Sequence, residues 1–357
     1  MILLMPSPTR QRLTPTTMTH PTVLLIPGDG IGAEVVPAAA RVLAALAPDL
    51  VFQEAEAGWG CFQRRGLALP AETVVAARSA GAVLFGAIQS PMQATPGYSS
   101  PILGLRRELE LWGNLRPARN LPKRPPLFDL LIVRENSEGL YSGREHAIEG
   151  GWVVERVITA AASQRIARLA CEQAFRHAER VGRPPRLTVV HKANVLKHSD
   201  GLFRSSCLET AAAFPGLKVD EMLVDTAAMW LARDPGRFDV LVTTNLFGDI
   251  LSDLAAGLAG GLGLAPSANI GSGPAAVFEP VHGSAPDIAG QGIANPLAAL
   301  RTAVMLLEHL GRFDAARRLD AAIEHVLRHG PHTPDLGGQA GTETVADAVR
   351  RLCTQPS

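Results

Sequence analysis

From Pro21 onward, short apolar runs alternate with longer Ala-rich stretches at helical spacing. The runs are Val23 to Ile26, Ala82 to Phe85, Leu130 to Val133, Leu187 to Val190 and Val240 to Val242. A run that is apolar at every position and too short for a helix fits a strand covered on both faces. Parallel strands need crossovers, and the Ala-rich stretches can supply them as helices. The alternation therefore predicts an α/β protein with a largely parallel sheet. There is no internal repeat. Pro117 to Pro126 has four prolines and three basic residues in ten positions and predicts a connection between sub-regions. Arg183 to Arg186 predicts a surface turn. Gly143 to Glu155 carries charges, glycines and then Trp152-Val-Val, which predicts a protruding hairpin. Such an arm with an exposed Trp either packs on a partner subunit or is a plain surface hairpin.

A chain of 357 residues, 46% apolar and 19% charged, is long enough for two domains and a large core. Lys plus Arg and Asp plus Glu both number 34, so no net field draws the protein to nucleic acid or an anionic membrane. No apolar run approaches the ~20 residues that span a bilayer. Cys61, Cys171, Cys207 and Cys353 stand far apart without a Cys-x-x-Cys pair, which argues against zinc, iron–sulfur or a disulfide framework and fits a reducing cytoplasm. Residues 1 to 20 lack periodicity and are expected to be a disordered extension, a transit peptide or upstream of a true start at Met18.

The stretch Phe238 to Gly257 places Asp249 and Asp253 four residues apart on a predicted helix after the strand Val240 to Val242. Like charges on one face repel unless a cation lies between them, and oxygen ligands suit Mg²⁺ or Mn²⁺. Alternatively, Asp249 favours the helix N-terminus and Asp253 is a solvated charge. Asp225 ends another apolar strand and is either a third carboxylate for the metal or an N-cap. Arg106, Arg116 and Arg134 could together clamp a di- or tricarboxylate, Arg134 from a strand end where ligands of α/β sheets gather. Each alone also fits an ordinary surface arginine. Tyr141, a few residues past that strand, could donate a proton if a cationic neighbour stabilised its phenolate, or be a buried structural residue. Lys192, at a strand-to-helix turn near metal and guanidinium charges, is a candidate base; a snorkelling surface lysine is the alternative. Asn194 could orient an amide. Val277 to Gly290, followed by Gly292 to Pro296, predicts an irregular binding loop whose amides suit a nucleotide. Gly28-Asp-Gly-Ile-Gly32 misses the G-x-G-x-x-G pattern by one position and predicts a tight turn into the first helix.

Together these segments resemble the β-decarboxylating dehydrogenases of 2-hydroxy acids, the isocitrate/isopropylmalate dehydrogenase family. The likeness runs from about Pro21 to Leu352 and is carried most specifically by Gly248-Asp-Ile-Leu-Ser-Asp253 and Glu279-Pro-Val-His-Gly-Ser-Ala-Pro-Asp287. It implies two α/β domains sharing a twisted mixed sheet, unlike a Rossmann fold. The first, cofactor-binding domain would be discontinuous, 21–117 with 270–357; the second, 118–269, would hold the dimer interface and the arm at about 141–156. The resemblance implies a homodimer or tetramer in which the partner subunit supplies the matches of Lys192 and Asp225. It further implies Asp225, Asp249 and Asp253 as metal ligands, Tyr141 as proton donor and Lys192 as base. Arg106, Arg116, Arg134, Ser100, Tyr141, Lys192 and Asn194 would contact substrate. Asn194, Glu279, His282, Gly283, Ser284, Ala285, Asp287, Ile288 and Asn295 would contact the cofactor, with Asp335 a looser candidate. At Asp287-Ile288 an acidic side chain suits ribose hydroxyls and repels a 2′-phosphate, so NAD is expected.

In isocitrate enzymes the segment before Arg106 has the form Ser-x-Asn; here Ser100 is kept and Ile102 replaces the amide. Isopropylmalate enzymes carry Thr-Gly-Gly where this chain has Ser137-Glu-Gly139. The pattern looks most like homoisocitrate dehydrogenase of the aminoadipate route to lysine, which makes 2-oxoadipate. Isocitrate, 3-isopropylmalate and tartrate or malate are the alternative substrates, and a catalytically silent regulatory subunit is an alternative of another class.

Overall fold

The computed structural model describes residues 21–93, 95–122 and 125–355. The expectation for residues 1–20 lies outside them. The strands are β1 (Thr22–Gly28), β2 (Val51–Glu54), β3 (Ala82–Ala87), β4 (Gly113–Arg119), β5 (Asp129–Glu135), β6 (Glu145–Ile148), β7 (Gly151–Val154), β8 (Arg186–His191), β9 (Lys218–Leu223), β10 (Val240–Thr243), β11 (Pro266–Ile270) and β12 (Val277–Pro280). The helices are α1 (Gly32–Leu46), α2 (Trp59–Arg65), α3 (Ala71–Ser79), α4 (Pro101–Glu108), α5 (Ala160–Val181), α6 (Ser199–Ala211), α7 (Val224–Arg233), α8 (Asn245–Leu258), α9 (Leu297–His309), α10 (Phe313–His329) and α11 (Thr342–Thr354).

All five apolar runs lie in strands, and β3 and β10 are buried at every position. Ten strands form one sheet in the order β2-β1-β3-β12-β11-β4-β5-β10-β8-β9. The sheet is largely parallel, as expected, with six parallel pairings and three antiparallel ones that make it mixed. Two parallel groups flank a middle in which β11 is antiparallel to β12 and β4, and β4 to β5. The cause is local: β4–β5 and β11–β12 are joined without a crossover helix, so each pair must run antiparallel.

Part of the predicted Pro117–Pro126 connection belongs to β4, where Pro117 stands opposite Leu131. Leu131 sends its N–H to Asp239 on the other side, and the β11 ladder covers only Gly113 to Leu115 of β4. Proline's missing donor therefore costs this sheet no ladder bond. Lys123 and Arg124 lie outside the described residues. The Arg183–Arg186 turn follows the left-handed cap Gly182 of α5, although Arg186 itself opens β8.

One continuous apolar layer fills one face of the sheet, under α1, α5, α9, α10 and α11. The other face carries two separate patches. Ile26 and Phe85 pack with Leu105 of α4, while Ile132 and Leu241 pack with Leu231 of α7 and Leu251 of α8. Between them lies a strip of β12, β11, β4 and β5. Strand alternation and register put Glu279, Ser267, Asn269, Asn114, Arg116 and Arg134 on that one strip. The β6–β7 hairpin forms as expected, with Trp152 70% exposed. Among the described residues no helix is long and apolar enough to cross a membrane.

At the opposite end of β5, Asp129 is held by Arg180 and by His177. Burial pushes this carboxyl up, but the bonds from Arg180 and His177 outweigh it and hold the carboxyl well below its ordinary range. A lowered folded pKa gives stability that is complete above the unfolded value near ~3.9 and is lost as pH falls below it. Asp129→Asn is expected to cost about 1 kcal/mol at pH 7 and progressively less below pH ~4 in urea titrations. A penalty that grows towards acid would contradict this.

Candidate active site

α8 starts at Asn245, three residues before the glycine where sequence periodicity begins, and Thr244 occupies its N-cap position. Asp249 is therefore a full turn inside the helix and its role is not capping. Its carboxylate pairs with the Arg134 guanidinium, lies 3.5 Å from Arg116, and accepts the Tyr141 hydroxyl. One turn on, Asp253 accepts from Arg116 at 3.2 Å. The two acids do share a face, and two arginines from the sheet strip meet them there.

Arg134 is 1% exposed, and burial followed by the like charge of Arg116 pushes its guanidinium down to about 10. Asn245 Oδ1 accepts from its Nε at 3.0 Å and from its Nη2 at 2.7 Å. Gly248 allows this packing: a Cβ there would sit 2.7 Å from the Cβ of Arg134. Burial also lowers Arg116, which donates to Asn114 at 2.8 Å and to Ser252 at 3.0 Å. Burial works to raise the Asp249 carboxyl, but Arg134, the Tyr141 bond and Arg116 hold it below the usual range. Asp253 is raised by burial, with Arg116 opposing.

Across the strip Arg106 pairs with Glu279 at 3.1 Å, and Asn269 donates to the same carboxylate at 2.8 Å. Glu279 belongs to strand β12, so Val277 to Pro280 is not part of an irregular loop; pairing with β3 and β11 makes it a strand. Ser100 precedes α4 and makes no cap bond. Three arginines and three carboxylates thus neutralise one another around a cleft lined by Arg106, Arg116, Ser267, Glu279, His282 and Gly283.

Tyr141 is 40% exposed, and Arg134 lies 5.1 Å from its ring centre. Burial, and then the bond to Asp249, push the phenol up and keep its proton on. Arg134 is the cationic neighbour that proton donation would need, and it works to lower the phenol. Lys192 and Asp225 stand apart from this group and pair with each other at 2.6 Å. The neighbour of the Lys192 ammonium is a carboxylate, not a guanidinium. Among the described residues no three acids, histidines or cysteines converge as a metal cluster, so Asp225 does not join Asp249 and Asp253 within one chain. Asn194, just past Lys192, is exposed.

The loop after β12 meets the predicted tight turn. Ile31 donates its N–H to Ser284 O at 2.9 Å, and a Cβ on Gly30 would sit 2.0 Å from that oxygen. Gly28 and Gly30 have φ of 71° and 56°. Ala285 also has positive φ, and Gly283 and Asp287 are exposed. Ile288 packs its edge on the main core. The buried Nε2 of His282 has no hydrogen-bond partner among the described residues. Asn295 donates to Asp335 at 2.9 Å and accepts from Leu297, which brings those two candidates together.

Sequence reasoning missed Asp29, whose carboxylate accepts the N–H groups of Trp59, Gly60 and Gln89 at 2.7, 2.8 and 2.9 Å. It also missed Asn245, Asn114 and the buried Asp200. Only Asn245 carried a local signal, the Thr-Thr-Asn that ends β10.

The sequence profile described as isocitrate/isopropylmalate dehydrogenase matches residues 22–349. The chain is 54% identical to an isocitrate/homoisocitrate dehydrogenase of Thermus thermophilus, over 92% of this chain and 97% of that protein. It belongs to the isocitrate/isopropylmalate dehydrogenase family. A 3-isopropylmalate dehydrogenase of Methanothermobacter thermautotrophicus is 48% identical over 92% of this chain and 98% of its own. Among solved structures, isocitrate dehydrogenase from Methylococcus capsulatus superposes with a TM-score of 0.87 at 42% identity, covering 94% of this chain and all of that one. As a family member this protein is an oxidoreductase that oxidatively decarboxylates a hydroxy acid.

Proposed function

We propose that the protein oxidises homoisocitrate to 2-oxoadipate with NAD and Mg²⁺ or Mn²⁺, in a cleft between a lobe of residues 21–117 with 270–357 and a lobe of 118–269. The observation that carries this reading is the meeting of Arg116 and Arg134 from the strip with Asp249 and Asp253 of α8, beside the Arg106–Glu279 pair. Cationic forks for carboxylates stand beside oxygen ligands for a divalent ion, the pairing that a chelated hydroxy acid requires. The donor set fits the metal: Asp249 and Asp253, one turn apart on α8, are hard oxygen donors that would hold a divalent ion, with the partner subunit's equivalent of Asp225 as a third. The unpartnered His282 Nε2 and the exposed loop amides fit a nucleotide.

A divalent ion held by Asp249 and Asp253 would supply Lewis-acid polarisation of the hydroxyl and its adjacent carboxylate, and a bound NAD would supply the hydride acceptor. The chain's own groups do the rest. The arginines fix the carboxylates, the partner subunit's equivalent of Lys192 takes the hydroxyl proton at Nζ, and Tyr141 returns a proton to the carbon that loses CO₂. A silent regulatory subunit would need none of Lys192, Tyr141 and the acids, and this chain has all of them. The buried, unpaired cysteines suit a reducing cytoplasm.

The test is NAD reduction with homoisocitrate, isocitrate, 3-isopropylmalate, tartrate and malate, each with and without Mg²⁺. Homoisocitrate is expected to give the highest kcat/KM, with isocitrate within about 10–200-fold because one methylene discriminates weakly. A preference for isopropylmalate above about tenfold would overturn the substrate and leave the site chemistry standing.

A further inference from the structure

Asp200, in the first turn of α6, is completely buried. Its Oδ2 accepts the backbone N–H of Lys192 at 2.6 Å, and its Oδ1 pairs with Arg156. Arg156 lies two residues past the β6–β7 arm. Its guanidinium also donates to Ser199 Oγ at 3.2 Å and to Thr244 Oγ1 at 3.1 Å, and it covers the Phe247 ring at 5.2 Å. Thr244 is the N-cap of α8, the helix of Asp249 and Asp253. One buried ion pair therefore joins the root of the arm, the turn that presents Lys192 and the start of the carboxylate helix.

A buried ion pair is a poor source of stability, because desolvating both charges offsets their attraction, and apolar residues of similar volume commonly do as well. Geometry is what it supplies. Two fixed oxygens and a planar fork define the separation of three segments more tightly than apolar packing does. We propose that Asp200 and Arg156 are positioning residues, a clamp that sets Lys192 relative to α8 and to the root of the arm. The proposal rests on Lys192 being the base of the reaction described above. Neither residue touches substrate; both act through the Lys192 turn.

A kinetic cycle of Asp200→Asn, Lys192→Ala and the double variant tests it, with homoisocitrate, Mg²⁺ and NAD. Asp200→Asn alone is expected to lower kcat about 100-fold, the cost of a misplacement on the order of 1 Å, with the KM for NAD changed less than about twofold. In the Lys192→Ala background the same substitution is expected to change kcat less than about threefold, since the base whose position it sets is gone. Losses that multiply across the cycle would overturn the clamp. An unimpaired Lys192→Ala would instead refute the assignment of the base, a separate failure visible in that single variant. Should Asp200→Asn fail to fold, Arg156→Lys keeps the charge and removes the fork. It is expected to melt near the wild type while losing about tenfold in kcat, again only when Lys192 is present. Wild-type kcat in Arg156→Lys would overturn the proposal.

Discussion

In an equal mixture of Lys192→Ala and Asp249→Asn subunits, unfolded and refolded together, about one quarter of wild-type turnover is expected to return, although each variant alone is inactive. The geometry dictates the experiment. Within one chain Asp249 and Tyr141 lie with Arg134, whereas Lys192 lies with Asp225, and the two sets do not converge. If a two-fold partner brings its Lys192 and Asp225 to the first chain's Asp249 and Asp253, each mixed dimer holds one intact site and one doubly defective site. Random pairing makes half the dimers mixed, and half of their sites are intact. Turnover is measured as NADH formation after confirming by mass that mixed dimers are present. A mixed population that stays inactive would show that each chain builds its site alone, and Lys192 would lose its proposed role.

The second large effect is expected from Tyr141→Phe, with kcat lower by about 100-fold or more. The phenol lies against Asp249 and beside Arg134, and burial and the carboxylate both keep it protonated. It is suited to give a proton to carbon and poorly suited to take one from a hydroxyl. In the proposed reaction hydride transfer precedes the loss of CO₂, so the variant should still produce a rapid burst of NADH matching its sites before the slow steady state. Stopped-flow absorbance reads both phases. A variant that loses the burst and the steady state equally would place Tyr141 at the oxidation step instead.

Much of this site is legible along the chain because strand ends are. Arg134, Lys192 and Asp249 each follow an apolar run closely, and such runs end at one rim of the sheet in parallel groups. The i,i+4 spacing of Asp249 and Asp253 survives an error in where α8 begins, because helical phase does not depend on the first residue. What local pattern misses depends on long-range pairing. Val277 to Pro280 contains a Glu and a Pro and reads as loop, yet β3 and β11 on either side make it a strand. Asp29 is invisible for the same reason: its three donors lie 30, 31 and 60 residues away. Asp200 looks like one more acid in a helical first turn until Arg156, 44 residues earlier, is seen to meet it. The ion pairs are also unreadable from sequence, which predicts arginines for substrate and acids for metal but not that each set neutralises the other.

That mutual neutralisation bears on the central proposal, that Asp249 and Asp253 bind a divalent ion beside a hydroxy acid held by the arginines. The most direct measurement is a titration of Mn²⁺ followed by electron paramagnetic resonance of the free ion, with and without homoisocitrate, on wild type and Asp249→Asn. Mn²⁺ is expected to bind wild type more tightly when the acid is present, since its carboxylates take over the guanidinium groups that otherwise compete for Asp249. Asp249→Asn is expected to bind about 10–100-fold more weakly. Equal Mn²⁺ affinity in the two proteins, indifferent to the hydroxy acid, would contradict the assignment.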